Sequence, residues 1–405
     1  MFSKLRQLNI NIWDLNLVLT IVGFPVFTML VTTSWSSIAF RGIAVLVALM
    51  SLVKTKIHFD IETMSKFFLF ILLYESIQMW ADFYVGEYAN TPFEYSRMQA
   101  MLYNLGVVWL PTLAICSSIK YINWNAVLWM CFLFLGFSVI KGDLTSVGAE
   151  LTADGRINMS DRISPISYGD YSAFMVLLST SLLLKYKDSL SSIFNLKTII
   201  LIIGIFAGIY GVAKAGSRGP LVGMTFGFAF LFLAFPGKWK STTILILLIS
   251  IVTGALSMNV IEEFAPALVS RFTLTFEEGD TGNRDILFDM AMQKWEGHHL
   301  FGTNCVYLEF KEFNSYHNVY LDAFVATGII GGLIFSISMM LLAAKSYFYK
   351  LKKTLTPPEF FFISLFLFHV GRGFSGIILV ANVQIVAAFI IANMAIKNRL
   401  NCENY

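Results

Sequence analysis

The feature that most constrains this chain is the recurrence of uncharged apolar runs, each roughly 18–21 residues long. IILIIGIFAGIYGV at 199–212 and VGMTFGFAFLFLAF at 222–235 are the cores of two of them. At about 1.5 Å per residue such a run crosses about 30 Å of hydrocarbon. In lipid the backbone must satisfy its own hydrogen bonds, so the runs are expected to be helices. With 57% of residues hydrophobic and 14% charged, the expected fold class is all-α: one polytopic integral membrane domain over 1–405. Twelve spans are predicted, near 15–33, 36–53, 66–84, 99–118, 122–140, 167–184, 198–213, 220–236, 242–261, 318–344, 358–371 and 377–396. The tenth is long and holds GIIGG at 328–332, where glycine allows a kink or a close helix contact. No small-residue cleavage site follows the first run, so the first span is expected to remain as an anchor.

Placing the N-terminus in the cytoplasm puts Lys54, Lys56, Lys120, Lys185, Lys187, Lys197, Lys238, Lys240, Lys345 and Lys350 on the inner connections. That bias sets the orientation by the positive-inside rule, with both termini cytoplasmic. Arginine is distributed differently. Eight of ten Arg lie on the outer side, against four of nineteen Lys. A guanidinium offers a planar fork of donors that matches phosphate and carboxylate, so the outer set points to an anionic ligand. Arg41 stands inside the outer part of the second span, where insertion of an Arg costs about 2.5–3.5 kcal/mol at the helix centre and less near the boundary. The competing reading is that individual Arg side chains snorkel or pair with Asp161, Asp170, Glu277 or Asp280.

Two outer loops carry most of the polar chemistry. Loop 141–168 contains Arg156 and Arg162, and loop 262–317 is the longest. Within the latter, Arg284, Leu287, Phe288, Ala291 and Trp295 recur at helical spacing, which predicts an amphipathic helix over 284–297 capped by Thr281 or Asn283. The loop closes on NSYHNVYLDAF, so His317 and Asn318 open the tenth span; a His there titrates near neutral pH. A cap by Asn314 or Ser315 with His317 incidental is the plainer alternative. His369 and Arg372 are three apart on one helix face, either extending the site or forming a structural pair. In AKAGSRGPL, 213–221, Lys214 and Arg218 occupy a short gap between two apolar runs, with Gly216 and Gly219 allowing a tight turn and Pro220 suiting the first turn of the next helix. Glu75 lies near the middle of the third span and is expected to pair with a buried polar group or to mark a proton path.

No HExxH, paired CxxC, Walker A or GxSxG motif is present, so no metal or other cofactor is expected. Lysines spread over short loops with no binding module speak against nucleic acid. Cys116 and Cys131 fall in spans, Cys402 in the cytoplasmic tail and Cys305 outside, which leaves no disulfide framework.

GSRGPL at 216–221, NRDILFDMAMQKWEGHHLFG at 283–302 and YHNVYLDAFVATGIIGGL at 316–333 occur in that order. Together with GRINMSDRISPISYGDYSAF at 155–174 they resemble the O-antigen polymerase and O-antigen ligase superfamily. The chain departs from that pattern at Thr303 and Asn304, where the family tends to have Gly-x-Gly beginning at Gly302, and at Tyr316, where Pro is common. The resemblance implies a bacterial inner-membrane glycosyltransferase of GT-C-like architecture, with its active site in the periplasm. The implied donor is a glycan on undecaprenyl diphosphate, and a chain-length regulator is the implied protein partner. His317, Arg218 and Arg284 are then the catalytic candidates, with Arg41, Arg156, Arg162, Lys214, Asn318, Arg372 and His369 as substrate-binding candidates. Polymerase and ligase share these motifs. A secondary transporter or lipid-linked sugar flippase is the alternative of another class; no half-to-half repeat favours it. A non-catalytic scaffold would leave the outer Arg set without a ligand.

Overall fold

A computed structural model describes residues 10–31, 35–55, 71–78, 80, 97–146, 165–183, 195–234, 269–270, 273, 284–303, 316–352, 355–375, 382–397 and 400. No strand occurs among them. The helices are α1 (Ile12–Leu30), α2 (Ser36–Lys54), α3 (Arg97–Asn104, continued by a π turn at Leu105–Trp109 and by Leu110–Ser118), α4 (Trp124–Ser146), α5 (Pro165–Leu183), α6 (Leu196–Ala215), α7 (Arg218–Ala234), α8 (Arg284–Glu296), α9 (Val319–Lys352), α10 (Pro357–Arg372) and α11 (Val383–Ile396). A further helical stretch covers 71–78. Six of the helices are long and apolar enough to cross a membrane, which marks a multi-pass membrane protein. The ninth predicted span, 242–261, lies outside the described residues.

Helix starts follow local chemistry. Asn11 and Asp14 form a reciprocal capping box at α1, with Asp14 N–H donating to Asn11 Oδ1 at 2.8 Å and Asn11 N–H to Asp14 Oδ2 at 3.1 Å. At α10, Glu359 accepts from the Thr356 N–H at 2.8 Å, and Pro357 and Pro358 occupy the first turn, where a missing N–H costs nothing. Inside α1 the chain makes a π turn over Leu19–Gly23 just before Pro25. Pro25 has no N–H to offer the Ile21 carbonyl. Gln384 of α11 supplies the donor instead, Nε2 to Ile21 O at 2.7 Å.

α5 and α10 form the centre of the bundle. Every residue of α10 from Pro358 to Arg372 is buried. Two glycine rows bring neighbours against this centre. On α6, Gly204, Gly208 and Gly211 face α5, and a Cβ on Gly208 would stand 2.6 Å from Val176 Cγ2 and 2.7 Å from the Ser172 carbonyl. On α7, Gly219, Gly223 and Gly227 face α10, and a Cβ on Gly223 would stand 2.7 Å from the Phe368 ring. In lipid, where apolar burial between helices gains little, such close backbone approach supplies the packing.

α9 is 34 residues long and is broken at Gly328 (φ 61°, ψ −164°), within the GIIGG stretch. The piece before the break packs against α10 and α8; the piece after it is long enough to span. Gly208→Leu is expected to force α5 and α6 apart and lower stability by about 1–3 kcal/mol. Gly42→Ala, at a position with nothing within 4 Å of a built Cβ, is expected to leave stability unchanged or raise it slightly. Thermal unfolding of the detergent-solubilised protein measures both.

Candidate functional site

The turn between α6 and α7 is built by Gly216 in the left-handed region (φ 58°), whose N–H closes on the Ala213 carbonyl at 3.1 Å. Arg218 is therefore the first residue of α7, half-buried at the helix end. Directly beside it, Gly219 lies against the Arg372 guanidinium; a Cβ there would stand 2.6 Å from Nη1. No other residue type leaves room for this contact.

Arg372 is 1% exposed. Its Nε donates to Asp170 Oδ1 of α5 at 2.8 Å and its Nη1 to the Ser375 carbonyl at 2.7 Å. Arg284, at the start of α8, donates from Nη2 to the same carbonyl at 3.2 Å. Ser375 Oγ in turn donates to the Arg372 carbonyl at 3.2 Å and approaches the Gly219 carbonyl at 3.5 Å. Arg372, Arg284 and the end of α7 that carries Arg218 thus meet around residues 373–375. Arg372 is held as a buried brace, while Arg218 is half-buried and Arg284 exposed.

His317 reaches the same end of the bundle. The Val319 N–H donates to the Gly373 carbonyl at 2.9 Å, and the Tyr320 hydroxyl to the Val370 carbonyl at 3.0 Å, so the start of α9 is seated on the end of α10. Among the described residues His317 is the only non-glycine at positive φ (53°). Such a conformation is uncommon for His and persists only where neighbours hold it. Here the neighbours do: the Tyr316 N–H donates to Asp322 Oδ1 at 3.0 Å, and Asn318 Oδ1 accepts from the N–H groups of Tyr320 and Leu321 at 3.0 and 3.2 Å. Asn318 is thus the cap of α9, a role the sequence offered to Asn314 or Ser315, which lie outside the described residues.

The remaining candidates are placed elsewhere. Lys214 sets its ammonium 5.6 Å from the Tyr210 ring centroid, one turn back on the stripe of α6 that carries the exposed Ile203 and Phe206. Arg41 stacks over Tyr103 of α3 at 4.6 Å. His369 is 2% exposed, edge-on to Phe174 and Phe368, and neither ring nitrogen has a hydrogen-bond partner among the described residues. Arg156 and Arg162 lie outside the described residues. α8 buries Leu287 and Ala291 as its periodicity predicts, but Phe288 is 51% exposed, so the buried face is narrower than expected. Glu75 accepts from Asn104 Nδ2 at 2.9 Å, the pairing the sequence left open. Among the described residues no group of His, Cys, Asp or Glu is arranged to hold a metal ion.

Two residues that shape the site were not singled out as candidates. Asp170 was visible only as one of several acids an Arg might choose. Ser375 acts through its backbone carbonyl, for which a sequence carries no signal. No model of a known protein family matches the chain, and no curated protein matches it.

The geometry separates bracing from presentation. Removing one member of a buried ion pair leaves the other charged and costs about 3–5 kcal/mol. Asp170→Ala is therefore expected to destabilise the protein by that order. Arg284→Ala, at an exposed position, is expected to change stability by no more than about 0.5 kcal/mol. Denaturant or thermal unfolding in detergent distinguishes the two.

Proposed function

We propose that this chain is a membrane glycosyltransferase that transfers a glycan from a lipid-diphosphate carrier, and specifically a polymerase of undecaprenyl-diphosphate-linked repeat units of the O-antigen type. The supporting observation is the meeting at residues 373–375 of Arg284, whose Nη2 reaches the Ser375 carbonyl, of Gly219, the chain neighbour of Arg218, and of the start of α9 next to His317, beside the Arg372–Asp170 pair. The reading places the protein in a bacterial inner membrane with this end of the bundle toward the periplasm, in line with the lysine bias.

In the proposed reaction the anomeric carbon of the donor's carrier-linked sugar loses its bond to the diphosphate oxygen and gains one to an acceptor hydroxyl oxygen. Negative charge gathers on the departing diphosphate. Arg218 and Arg284 offer guanidinium forks to that charge, and preorganised donors of this kind supply a large share of transition-state stabilisation. Diphosphate leaves readily without an acid. The acceptor hydroxyl loses a proton, and His317 is the group assigned to take it. In the polymerase the acceptor is the terminal sugar of a second lipid-linked unit; in a ligase it is a sugar of lipid A core. The residues named here serve either acceptor.

A transport reading draws on two observations, the break in α9 at Gly328 and the buried Glu75. Broken helices and intramembrane acids are features of transporters. Glu75 is hydrogen-bonded to Asn104, however, and no half-to-half repeat in the sequence favours transport.

Arg218→Ala, Arg284→Ala and His317→Ala, each produced at wild-type level in a polymerase-null host, are expected to leave surface glycan as single repeat units on a gel. Full-length ladders from all three would sink the assignment. Arg218→Lys is expected to fail as well, since an ammonium cannot form the bidentate fork. A host lacking the chain that still shows single units on the core supports the polymerase; one that shows none supports the ligase. Glu75→Gln is expected to retain polymerisation, and its loss would favour transport.

A further inference from the structure

The break at Gly328 removes a helical hydrogen bond inside an apolar segment. In an unbroken helix the Ile329 N–H would donate to the Val325 carbonyl. Instead Ile329 N–H donates to the His299 carbonyl at 2.8 Å, and the Val325 carbonyl accepts from the Thr303 N–H, also at 2.8 Å. The strap 297–303 that follows α8 has thus inserted itself into the gap and satisfied both groups. Gly302 (φ 76°) and Gly328 (φ 61°) make the insertion possible: at each, a Cβ would collide with the backbone of the opposing segment. Trp295 and His299 meet edge-on at 4.8 Å beside it.

Two carbonyls at the junction are served by one side chain from a different part of the chain. Gln78, 1% exposed, donates from Nε2 to the Thr303 carbonyl at 2.8 Å and to the Ala326 carbonyl at 3.1 Å. The Ala326 carbonyl lies two residues before the break. A primary amide carries two N–H donors on one nitrogen, which suits it to joining two carbonyls.

We propose that Gln78 is a positioning residue for the candidate site: it clamps the strap to the broken helix and thereby fixes the two arms that carry Arg284 and His317. α8 is a 13-residue rod with Arg284 at its far end, so a shift at the strap is carried to that guanidinium. The piece of α9 before the break runs from the same junction to His317. This proposal rests on the lipid-diphosphate reading above.

The test uses full-length protein in lipid nanodiscs, with undecaprenyl diphosphate as the binding probe. Gln78→Met keeps the length and bulk of the side chain and removes the donor. It is expected to stay folded with a lowered melting temperature, to lose hydrogen-exchange protection over 297–303, and to weaken probe binding about tenfold. Where Gln78→Met does not fold, Gln78→Asn, one methylene short of the two carbonyls, is expected to show the same two losses. Unchanged protection, or unchanged binding, in the folded variant overturns the proposal. Arg284→Ala serves as the separate check. If it binds the probe as wild type does, the diphosphate reading fails and takes the functional half of the proposal with it. If it binds weakly while the Gln78 variant binds normally, the proposal alone fails.

Discussion

The Arg372–Asp170 pair is the interaction on which this end of the molecule depends. A guanidinium at 1% exposure is tolerable only if its donors are used. Asp170 takes one of them and the Ser375 carbonyl another. Once Arg372 is fixed, its flat face sets how close α7 can come, and Gly219 is the residue that lets α7 come that close. Arg218 stands next in the chain, so its place at the helix end follows from a contact made by its neighbour. The same Ser375 carbonyl then anchors Arg284. One buried charge thereby fixes the positions of two more accessible ones.

Like charges do not gather without compensation. Here the arginines differ in burial. Arg372 has a carboxylate partner and sits deep, so it has little capacity left for a ligand. Arg284 is exposed, and its Nη2 donates to the Ser375 carbonyl at 3.2 Å. His317 stands alongside in a backbone conformation that three neighbouring hydrogen bonds hold.

Much of this was legible in the sequence because it rests on local rules. Helices at 36–54 and 196–215 follow from apolar length, the α8 helix from its spacing, the turn at Gly216 from residue type and the kink near 328 from its glycines. The sequence groups Arg218, Arg284 and His317 only by the expected side of the membrane, not by contact. What could not be read was which arginine is a brace. Arg372 and Arg284 look alike in a sequence; their difference comes from Asp170, some 200 positions away, and from burial that tertiary packing creates. Lys214 has a local setting of its own. It shares a short polar gap with Arg218, yet the turn at Gly216 sends it back along the stripe of α6 that holds Tyr210.

The broken helix shows why the acceptor and donor ends of backbone groups have to be traced one by one in a membrane protein. Water cannot satisfy a gap in the ladder at depth, so each freed group demands a protein partner. The Ile329 N–H and the Val325 carbonyl are answered by a strap that begins at the end of α8, and Gln78 donates to the Ala326 carbonyl. A break closed by a segment of the same loop that carries a site residue is a mechanical link between α9 and α8. Gln78 then acquires its importance from two carbonyls rather than from any chemistry of its own, and a residue with no reactive character becomes part of how the cationic end of the bundle is held.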